Sequence, residues 1–186
     1  GSDLVIERVG VNPLRTGLLQ ALWSMGASIE VEDERVEGGE PVADLHVRHA
    51  PLHGIEVPEA IVPDMIDEFP VLFAAAAVAE GRTIVRGAAE LRVKESDRIA
   101  AMASALRALG ARIDETPDGA VIDGGSLKGG DVDSHGDHRI AMASAVAAQR
   151  AKGDVRIRDC ANVATSFPGF VELARSAGLD VRLEGG

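Results

Sequence analysis

Apolar residues recur at helical spacing in several stretches of this chain, and each stretch ends at a glycine that is followed by a short alternating segment. Residues 99–109 place apolar side chains every three or four positions up to Gly110, and residues 111–114 then alternate between apolar and polar types. Glycine commonly ends a helix because it adopts the left-handed backbone conformation at little cost. Strict alternation is typical of a strand. The pattern predicts a helix followed directly by a strand.

The same order of helix, glycine and strand occurs in four further places. The predicted helices stop before Gly26, Gly81, Gly153 and Gly178, and the strands that follow them lie at residues 27–32, 83–86, 155–158 and 179–183. The chain is therefore interpreted as three related units of alternating helices and short strands, of which the first is abbreviated.

No single unit of this kind can bury its own apolar face, so we expect the three to pack around one core with pseudo-threefold symmetry. The helices predicted at residues 69–80 and 140–152 are rich in alanine and apolar over much of their circumference. A helix that is apolar on most sides is typically buried. The predicted fold class is therefore α/β (α+β), with the helices inside and small sheets outside.

Composition limits the classes of partner. The 186 residues are 46% hydrophobic, which allows a substantial core, and the formal net charge of -11 argues against a nucleic acid or an anionic membrane as partner. An anionic ligand would need basic residues gathered locally. No apolar run approaches membrane-spanning length, and no signal peptide is visible. The single cysteine, Cys160, excludes an internal disulfide and is compatible with a reducing cytosol, so a cytoplasmic location is expected.

The residues just before the helix predicted from Ile99 are unusually charged. Residues 91–98 contain five charged side chains, and a Ser-Asp pair there is a suitable helix start. Lys94 and Arg98 beside the free amides of a helix N-terminus suit a phosphate or a carboxylate. Glu95 would compete with such an anion unless it handles protons. The alternative is a solvated capping turn with a surface ion pair.

Polar groups also precede other predicted helices. They are Asp64, Asp67 and Glu68 before the helix at residues 69–80, Asp137, His138 and Arg139 before the helix at residues 140–152, and Thr165 and Ser166 before the last helix. If the units are related by rotation, equivalent helix ends converge on one face. A group of converging helix N-termini is suited to binding an anion.

Several of these motifs, taken in order, resemble the C-terminal half of the 5-enolpyruvylshikimate-3-phosphate synthases. They are PDMIDE at residues 63–68, LRVKESDR at residues 91–98, GDHRIAM at residues 136–142 and ATSFP at residues 164–168. The resemblance implies an enzyme of two similar domains with its active site in the cleft between them. Residues 3–186 would form the C-terminal domain alone, which is expected to lack activity by itself. Gly1 and Ser2 are interpreted as a tag remnant.

The resemblance also implies roles for individual residues. Asp67 would accept the proton of the attacking shikimate hydroxyl. Asp64 competes for this role, but the separation of Asp67 from Glu95 is the one that the family keeps. Glu95 would be the acid and base at the methylene carbon of phosphoenolpyruvate. The residues expected to bind the substrates are Glu90, Lys94, Arg98, His138, Arg139 and Thr165.

Within that set, the resemblance places Lys94 on the shikimate side and assigns Arg98 and Arg139 to the carboxylate and phosphate of phosphoenolpyruvate. His138 would orient its carboxylate neighbours. Many members of the family have a lysine where this chain has Thr165, as in the subgroup that tolerates glyphosate. A third cation at that position is therefore not expected.

The implied reaction transfers the enolpyruvyl group of phosphoenolpyruvate to shikimate 3-phosphate in chorismate and aromatic amino acid biosynthesis. Two positioned carboxylates can move the protons that the addition and the elimination require, and arginine forks suit the anionic substrate. Such chemistry needs neither a metal nor an organic cofactor. The expected partners are the two substrates and the N-terminal domain of the same enzyme, in a monomer that binds neither nucleic acid nor membrane.

Other groups of residues give weaker signals. His46, His49 and His53 lie near one another in sequence, but strand alternation points His46 and His49 to opposite faces, so we interpret them as surface residues rather than metal ligands. Residues 135–138 have a metal-like composition without a third ligand cluster nearby. We therefore expect no metal site in the chain.

The glycine pairs and the cysteine have structural interpretations. The pairs at residues 124–125 and 129–130 lack a phosphate-loop pattern, and a hairpin or a loop is expected there. Cys160 follows a strand expected to be buried, which favours a packed thiol over a nucleophile.

Two further functions fit the repeated architecture. One is the related enolpyruvyl transferase that acts on UDP-N-acetylglucosamine, although residues 94–98 speak against it. The other is a non-catalytic module that binds an anion.

Overall fold

The computed structural model describes residues 1–184, so the last two residues of the predicted domain 3–186 lie outside the described residues. Within this range the chain forms eight strands and six α-helices. The strands are β1 (Asp3–Gly10), β2 (Ser28–Glu37), β3 (Glu40–Arg48), β4 (Arg82–Val85), β5 (Arg112–Thr116), β6 (Gly119–Asp123), β7 (Leu127–Asp133) and β8 (Ala151–Arg158). The helices are α1 (Gly17–Ser24), α2 (Phe69–Ala76), α3 (Arg98–Ala108), α4 (His138–Ala148), α5 (Ala161–Ser166) and α6 (Phe170–Ser176).

Four 3-10 helices complete the list of elements. They are Pro13–Arg15, Glu59–Ile61, Pro63–Glu68 and Ala89–Val93. Among residues 1–184, no helix combines the length and the apolar character that crossing a bilayer requires.

The first two sheets repeat one arrangement. In each, a strand leads to a helix and then to a hairpin whose second strand lies in the middle of the sheet, giving the orders β1-β3-β2 and β4-β6-β5. Both sheets are antiparallel. The third sheet differs, because β7 and β8 run parallel and are joined through α4. The shared order of elements supports the predicted division into repeated units.

The helices form the centre of the molecule, as predicted from their composition. In α2, Phe69, Leu72 and Phe73 are at most 1% exposed, and the rings of Phe69 and Phe73 meet edge to face at 6.2 Å. The apolar side chains of α3 and α4 join the same core, and α2 packs along α4. Alanine on the facing sides lets the helices approach closely. The N-termini of α2, α3 and α4 consequently begin near one another.

Two of the predicted helices end earlier than the pattern suggested. The helix expected to reach residue 80 ends at Ala76, and the helix expected to reach residue 152 ends at Ala148. In the second case the reason is tertiary, because Ala151 and Lys152 are already paired with β7. The same pairing overturns the prediction for residues 129–130, which lie within β7 rather than in a loop. Residues 124–125 do lie in a loop, as expected.

The strand predicted at residues 179–183 is not formed within residues 1–184. Its counterparts β2 and β5 are each held by the next strand of a hairpin. The segment after α6 has no such neighbour among the described residues, and hydrogen bonds to Ala174, Gln149 and Arg175 and an ion pair between Glu184 and Arg156 hold it instead. An alternating sequence needs a partner strand before it becomes a strand.

Gly124 marks a close approach between the end of β6 and the end of α2. A Cβ atom at residue 124 would lie 1.7 Å from the carbonyl oxygen of Ala79. At the neighbouring Gly125, a Cβ atom would meet nothing within 4 Å. Neither glycine has a positive φ angle, so the difference between the two positions is one of space alone.

We therefore expect Gly124→Ala to destabilise the protein and Gly125→Ala to leave its stability nearly unchanged. The added methyl group at residue 124 must displace backbone, and overpacking of this kind costs about 1–3 kcal/mol. Urea denaturation of both variants measures the two effects. Equal free energies of unfolding for the two variants would contradict the close approach described for Gly124.

Candidate functional site

The N-termini of α2, α3 and α4 bring their charged residues together around the guanidinium group of Arg98. This side chain is the first residue of α3 and is only 1% exposed. Its Nε donates to Asp137 Oδ2 at 2.9 Å, and its Nη1 donates to Asp67 Oδ1 at 2.9 Å. Its Nη2 donates to Glu95 Oε2. Three carboxylates from three different segments therefore hold one buried cation.

Asp137 is the buried partner in this arrangement. Its side chain is 0% exposed, and it caps α4 by accepting the backbone N–H of Arg139 at 2.9 Å. The hydroxyl of Ser96 also donates to it at 2.9 Å. Burial acts to raise the pKa of Asp137, but the hydrogen bonds from Arg98, from the Arg139 amide and from Ser96 outweigh burial and lower the pKa. The carboxylate is therefore held in its charged form.

Asp67 lies at the open side of the cluster. It belongs to the 3-10 helix Pro63–Glu68 just before α2, and its side chain is 43% exposed. Besides Arg98, Lys94 approaches its carboxylate at 3.9 Å and Arg139 at 3.7 Å. Arg139 Nη1 also donates to the backbone carbonyl of Asp67 at 3.1 Å. The carboxylate of Asp67 therefore faces three cations and remains accessible to solvent.

Lys94 connects the cluster to the 3-10 helix Ala89–Val93. Its Nζ bonds the carboxylate of Glu90, which is largely exposed. The hydrogen bond to Glu90, followed by the nearby charge of Asp67, raises the pKa of Lys94 above its ordinary value despite partial desolvation. Lys94 therefore remains protonated at neutral pH.

These residues form one group, which we call the Arg98 cluster. Its members are Asp67, Glu90, Lys94, Glu95, Arg98, Asp137 and Arg139. Four carboxylates stand against three cations, so the cluster is close to electrical balance. The resemblance assigns Arg98 to an anionic group of the substrate, and in this structure all of its nitrogen atoms already donate to carboxylates.

Arg139 is better placed than Arg98 to meet an anion. Its side chain is 33% exposed, and its carboxylate contacts, to Asp67 and Glu68, are 3.7 and 3.9 Å long. It also lines a mostly apolar cavity of about 210 Å³ between α2, α4 and the start of α6. The cavity contacts Asp67 and Glu68 at one end and Phe170 at the other. Arg139 is thus the most exposed of the three cations of the cluster.

Two of the predicted site residues stand apart from the cluster. The ring of His138 is half-buried at the start of α4 and makes no hydrogen bond or ion pair within residues 1–184, so the expected orientation of carboxylates by His138 is not seen. Thr165 is exposed on α5, a short helix that the sequence did not predict. Asp64 is half-buried and, within the same range, its side chain bonds none of the cluster residues.

The histidine predictions are partly corrected by the first sheet. His46 lies between the carboxylates of Asp3 and Glu32, and its pKa is raised, chiefly by the hydrogen bond to Asp3. A nitrogen of its ring and carboxylate oxygens of Glu30 and Glu32 lie within 4.8 Å of one another, close enough to hold a metal ion. Arg48, however, donates to both His46 and Glu30 and so fills the position of a cation. His49 and His53 are exposed, as expected.

Cys160 follows a strand that is not buried, contrary to the expectation, because every residue of β8 is half-buried or exposed. Its thiol is nevertheless partly buried and donates to the carbonyl of Ile157 at 3.2 Å. Burial raises the pKa of the thiol, with further contributions from Asp159 and Asp133. A raised pKa disfavours the reactive thiolate.

The sequence patterns do not predict the contribution of Asp137 and Ser96. The sequence indicates Asp137 as a polar residue before a helix and Ser96 as part of a helix start, and both lie in the family motifs, but no pattern predicts that they contact each other. In the structure Asp97 caps α3 by accepting the Ala100 amide, which leaves Ser96 free to bond Asp137 across 41 positions of sequence. An aspartate before a buried helix, next to a His-Arg pair, was the only local signal.

Comparison with known proteins bears on the identity of this site. A family model described as EPSP synthase (3-phosphoshikimate 1-carboxyvinyltransferase) matches residues 1–173. Two relatives with the name 3-phosphoshikimate 1-carboxyvinyltransferase are 63% identical over 185 residues, from Xanthomonas axonopodis pv. citri, and 66% identical over 179 residues, from Xanthomonas campestris pv. campestris. The matches cover 100% and 96% of this chain but only 42% and 41% of the relatives. The chain thus spans about two-fifths of their length.

Solved structures show the same correspondence. The EPSP synthase of Acinetobacter baumannii is 50% identical and superposes with a TM-score of 0.97, over 100% of this chain and 44% of that structure. The enolpyruvyl transferase NikO of Streptomyces tendae superposes with a TM-score of 0.73 at 23% identity, over 97% of this chain and 40% of that one. The second match concerns the fold alone.

We expect Asp137→Asn to lower the free energy of unfolding at pH 7 by about 3–5 kcal/mol, because Arg98 would keep its burial and lose a charged partner. The folded pKa of Asp137 lies below the unfolded value of about 3.9, so its contribution is complete above that pH and is lost as pH falls through the folded pKa. The difference between wild type and variant should therefore narrow below pH 4.

The matched control is Asp123→Asn, which removes an exposed carboxylate paired with Arg82 and should have a much smaller effect. Urea denaturation between pH 7 and the lowest pH at which both proteins fold measures these differences. A loss that is equal in the two variants, or independent of pH, would contradict the role given to Asp137.

Proposed function

The chain belongs to the EPSP synthase (3-phosphoshikimate 1-carboxyvinyltransferase) family, and from this premise we propose that it forms the C-terminal half of an enolpyruvyl transferase. The reaction would transfer the enolpyruvyl group of phosphoenolpyruvate to shikimate 3-phosphate and release phosphate. The observation that carries the proposal is the Arg98 cluster itself, in which two accessible carboxylates, Asp67 and Glu95, share one buried arginine at the meeting point of three helix N-termini.

The chemistry asks for two proton-handling groups. In the addition step, the shikimate hydroxyl loses its proton and forms a C–O bond to C2 of phosphoenolpyruvate, while C3 gains a proton. In the elimination step, C3 loses a proton and the bond between C2 and the phosphate oxygen breaks. We assign the hydroxyl proton to Asp67 and the C3 protons to Glu95. Both side chains are about half exposed, 43% and 57%, so substrates can reach them.

The cations of the cluster have different tasks in this proposal. Arg139, which is one-third exposed, would bind the anionic groups of phosphoenolpyruvate directly. Arg98 would hold Asp67 and Glu95 in position, and it could bind the substrate anion only where one of these carboxylates gives way. Lys94 and Glu90 would face shikimate 3-phosphate. His138 and Thr165 keep the roles predicted from the resemblance, with no contact in the structure to support them.

The activity requires more than this chain. The matched relatives are more than twice as long. In this proposal, a second domain closes the cleft on the open side of the Arg98 cluster. Closure of an active site excludes water and orients two substrates, which are large contributions to rate. We therefore propose that the chain alone is inactive, and that the enzyme is a cytoplasmic monomer whose N-terminal domain completes the site.

We expect Glu95→Gln, made in the full-length enzyme, to lower kcat by ~10²- to 10⁴-fold while KM for phosphoenolpyruvate changes only a few-fold. Glutamine keeps the size of the side chain and can accept the Arg98 hydrogen bond, but it cannot carry a proton. Glu80→Gln, an exposed change beyond the C-terminal end of α2, is the control and should keep wild-type kinetics. An increase in KM with kcat preserved would show that Glu95 contributes to substrate binding and not to proton transfer.

The choice between Asp67 and Asp64 can be decided by a matched pair of variants. Asp67→Asn should reduce kcat by at least about 10²-fold, because the carboxylate that faces three cations is lost. Asp64→Asn removes the same charge from the same 3-10 helix and should stay within a few-fold of wild type. Steady-state kinetics of the two full-length variants compare the two values of kcat. A larger loss of kcat in Asp64→Asn would show that Asp64 is the proton acceptor.

A further inference from the structure

The turn between β5 and β6 holds the loop that carries Lys94 and Glu95. We propose that Arg92, which connects this turn to the N-terminus of α3, is a positioning residue for the reaction. The inference rests on the proposed function. Arg92 touches neither Asp67 nor Glu95 directly, and its effect would pass through Asp97 and the start of α3.

The contacts of Arg92 use every nitrogen of its guanidinium group. Nε donates to the carbonyl of Pro117 at 2.8 Å, and Nη2 donates to the carbonyl of Thr116 at 2.6 Å. Nη1 donates to Asp97 Oδ2 at 2.7 Å. The other oxygen of Asp97 accepts the Ala100 amide at 3.0 Å. One arginine thus connects the turn to the residue that caps α3.

The same turn also holds the beginning of the loop. Asp118 accepts the Gly87 amide on its side chain at 2.8 Å, and its backbone carbonyl accepts the Ala88 amide at 2.7 Å. Residues 87 and 97 are therefore both tied to the turn at residues 116–118. The loop between them is fixed at two ends by an element outside the Arg98 cluster.

Support of this kind matters because residues 94–97 belong to neither a helix nor a strand. Their position depends on side-chain contacts. Arg98 is also held by Asp137, and Arg139 belongs to the first turn of α4. Both arginines should therefore keep their positions without Arg92. Glu95 has no comparable anchor beyond Arg98 within the described residues. The loss of Arg92 should therefore displace Glu95 more than it displaces Arg98 and Arg139.

This difference predicts how kinetics should change. A misplacement of about 1 Å in a reacting group can lower turnover by about 10²-fold. We expect Arg92→Ala in the full-length enzyme to lower kcat by about 10- to 10²-fold, with KM for phosphoenolpyruvate within about threefold of wild type. Arg92→Lys keeps a charge near Asp97, but its three donors lie on a single nitrogen atom instead of the three nitrogens that Arg92 uses, so it should recover only part of the lost kcat.

Arg107 offers a matched control. It lies at the other end of α3 and also makes three hydrogen bonds to the same hairpin, two to the carbonyl of Ile113 and one to Glu115. Arg107→Ala should therefore reduce stability in a comparable way while leaving kcat and KM unchanged. A purely structural role for Arg92 predicts the same behaviour for both alanine variants.

The experiment combines steady-state kinetics, thermal denaturation and hydrogen–deuterium exchange on the full-length wild type, Arg92→Ala, Arg92→Lys and Arg107→Ala. The proposal is supported by a fall in kcat, and by faster exchange of the amides at residues 94–101, in the Arg92 variants alone. It is overturned if the Arg92 and Arg107 variants show the same kinetics and the same exchange. If Arg92→Ala does not fold, Arg92→Lys decides by the same two measurements.

Hydrogen–deuterium exchange tests the positioning role of Arg92 independently of the proposed reaction. Should the wild-type enzyme fail to convert phosphoenolpyruvate and shikimate 3-phosphate, the proposed function is wrong. Faster exchange confined to residues 94–101 in the Arg92 variants would still establish that Arg92 positions the loop, and unchanged exchange would overturn that claim whatever the reaction is.

Discussion

The buried ion pair between Arg98 and Asp137 is the interaction on which the rest of the site depends. Removing two charges from water costs several kcal/mol for each ion, and this cost is offset only when nearly every donor and acceptor is satisfied. Arg98 meets the condition with three carboxylates, and Asp137 meets it with Arg98, Ser96 and the Arg139 amide. This ion pair also determines where Asp67 and Glu95 lie, because their carboxylates accept the remaining hydrogen bonds of the Arg98 guanidinium group.

The solvent exposure of the side chains increases with distance from this pair. Arg98 and Asp137 are buried, Arg139 is one-third exposed, and Asp67 and Glu95 are about half exposed. In the proposed reaction, the buried members would fix positions without contacting a substrate, and the exposed carboxylates would exchange protons while held in place. The two tasks fall to different residues, which is how a rigid site can also be a reactive one.

Local patterns in the sequence predicted the parts of the fold that depend on local interactions. The helix from Arg98 to Ala108, its glycine stop and the inward-facing, alanine-rich α2 and α4 follow from spacing and composition. The failures have tertiary causes: β7 draws residues 151–152 out of the predicted helix, and the segment at residues 179–183 lacks a partner strand. The cluster residues could be named from motifs, but the saturation of Arg98 by carboxylates could not, because it joins side chains up to 39 positions apart.

Asp137 interacts with both α3 and α4 and so couples two helices that are separate in sequence. The same carboxylate caps α4 and neutralises the first residue of α3, so fraying either helix end would expose an unpaired charge in the other. The two N-termini should therefore open together, as one cooperative unit with a shared free energy of opening.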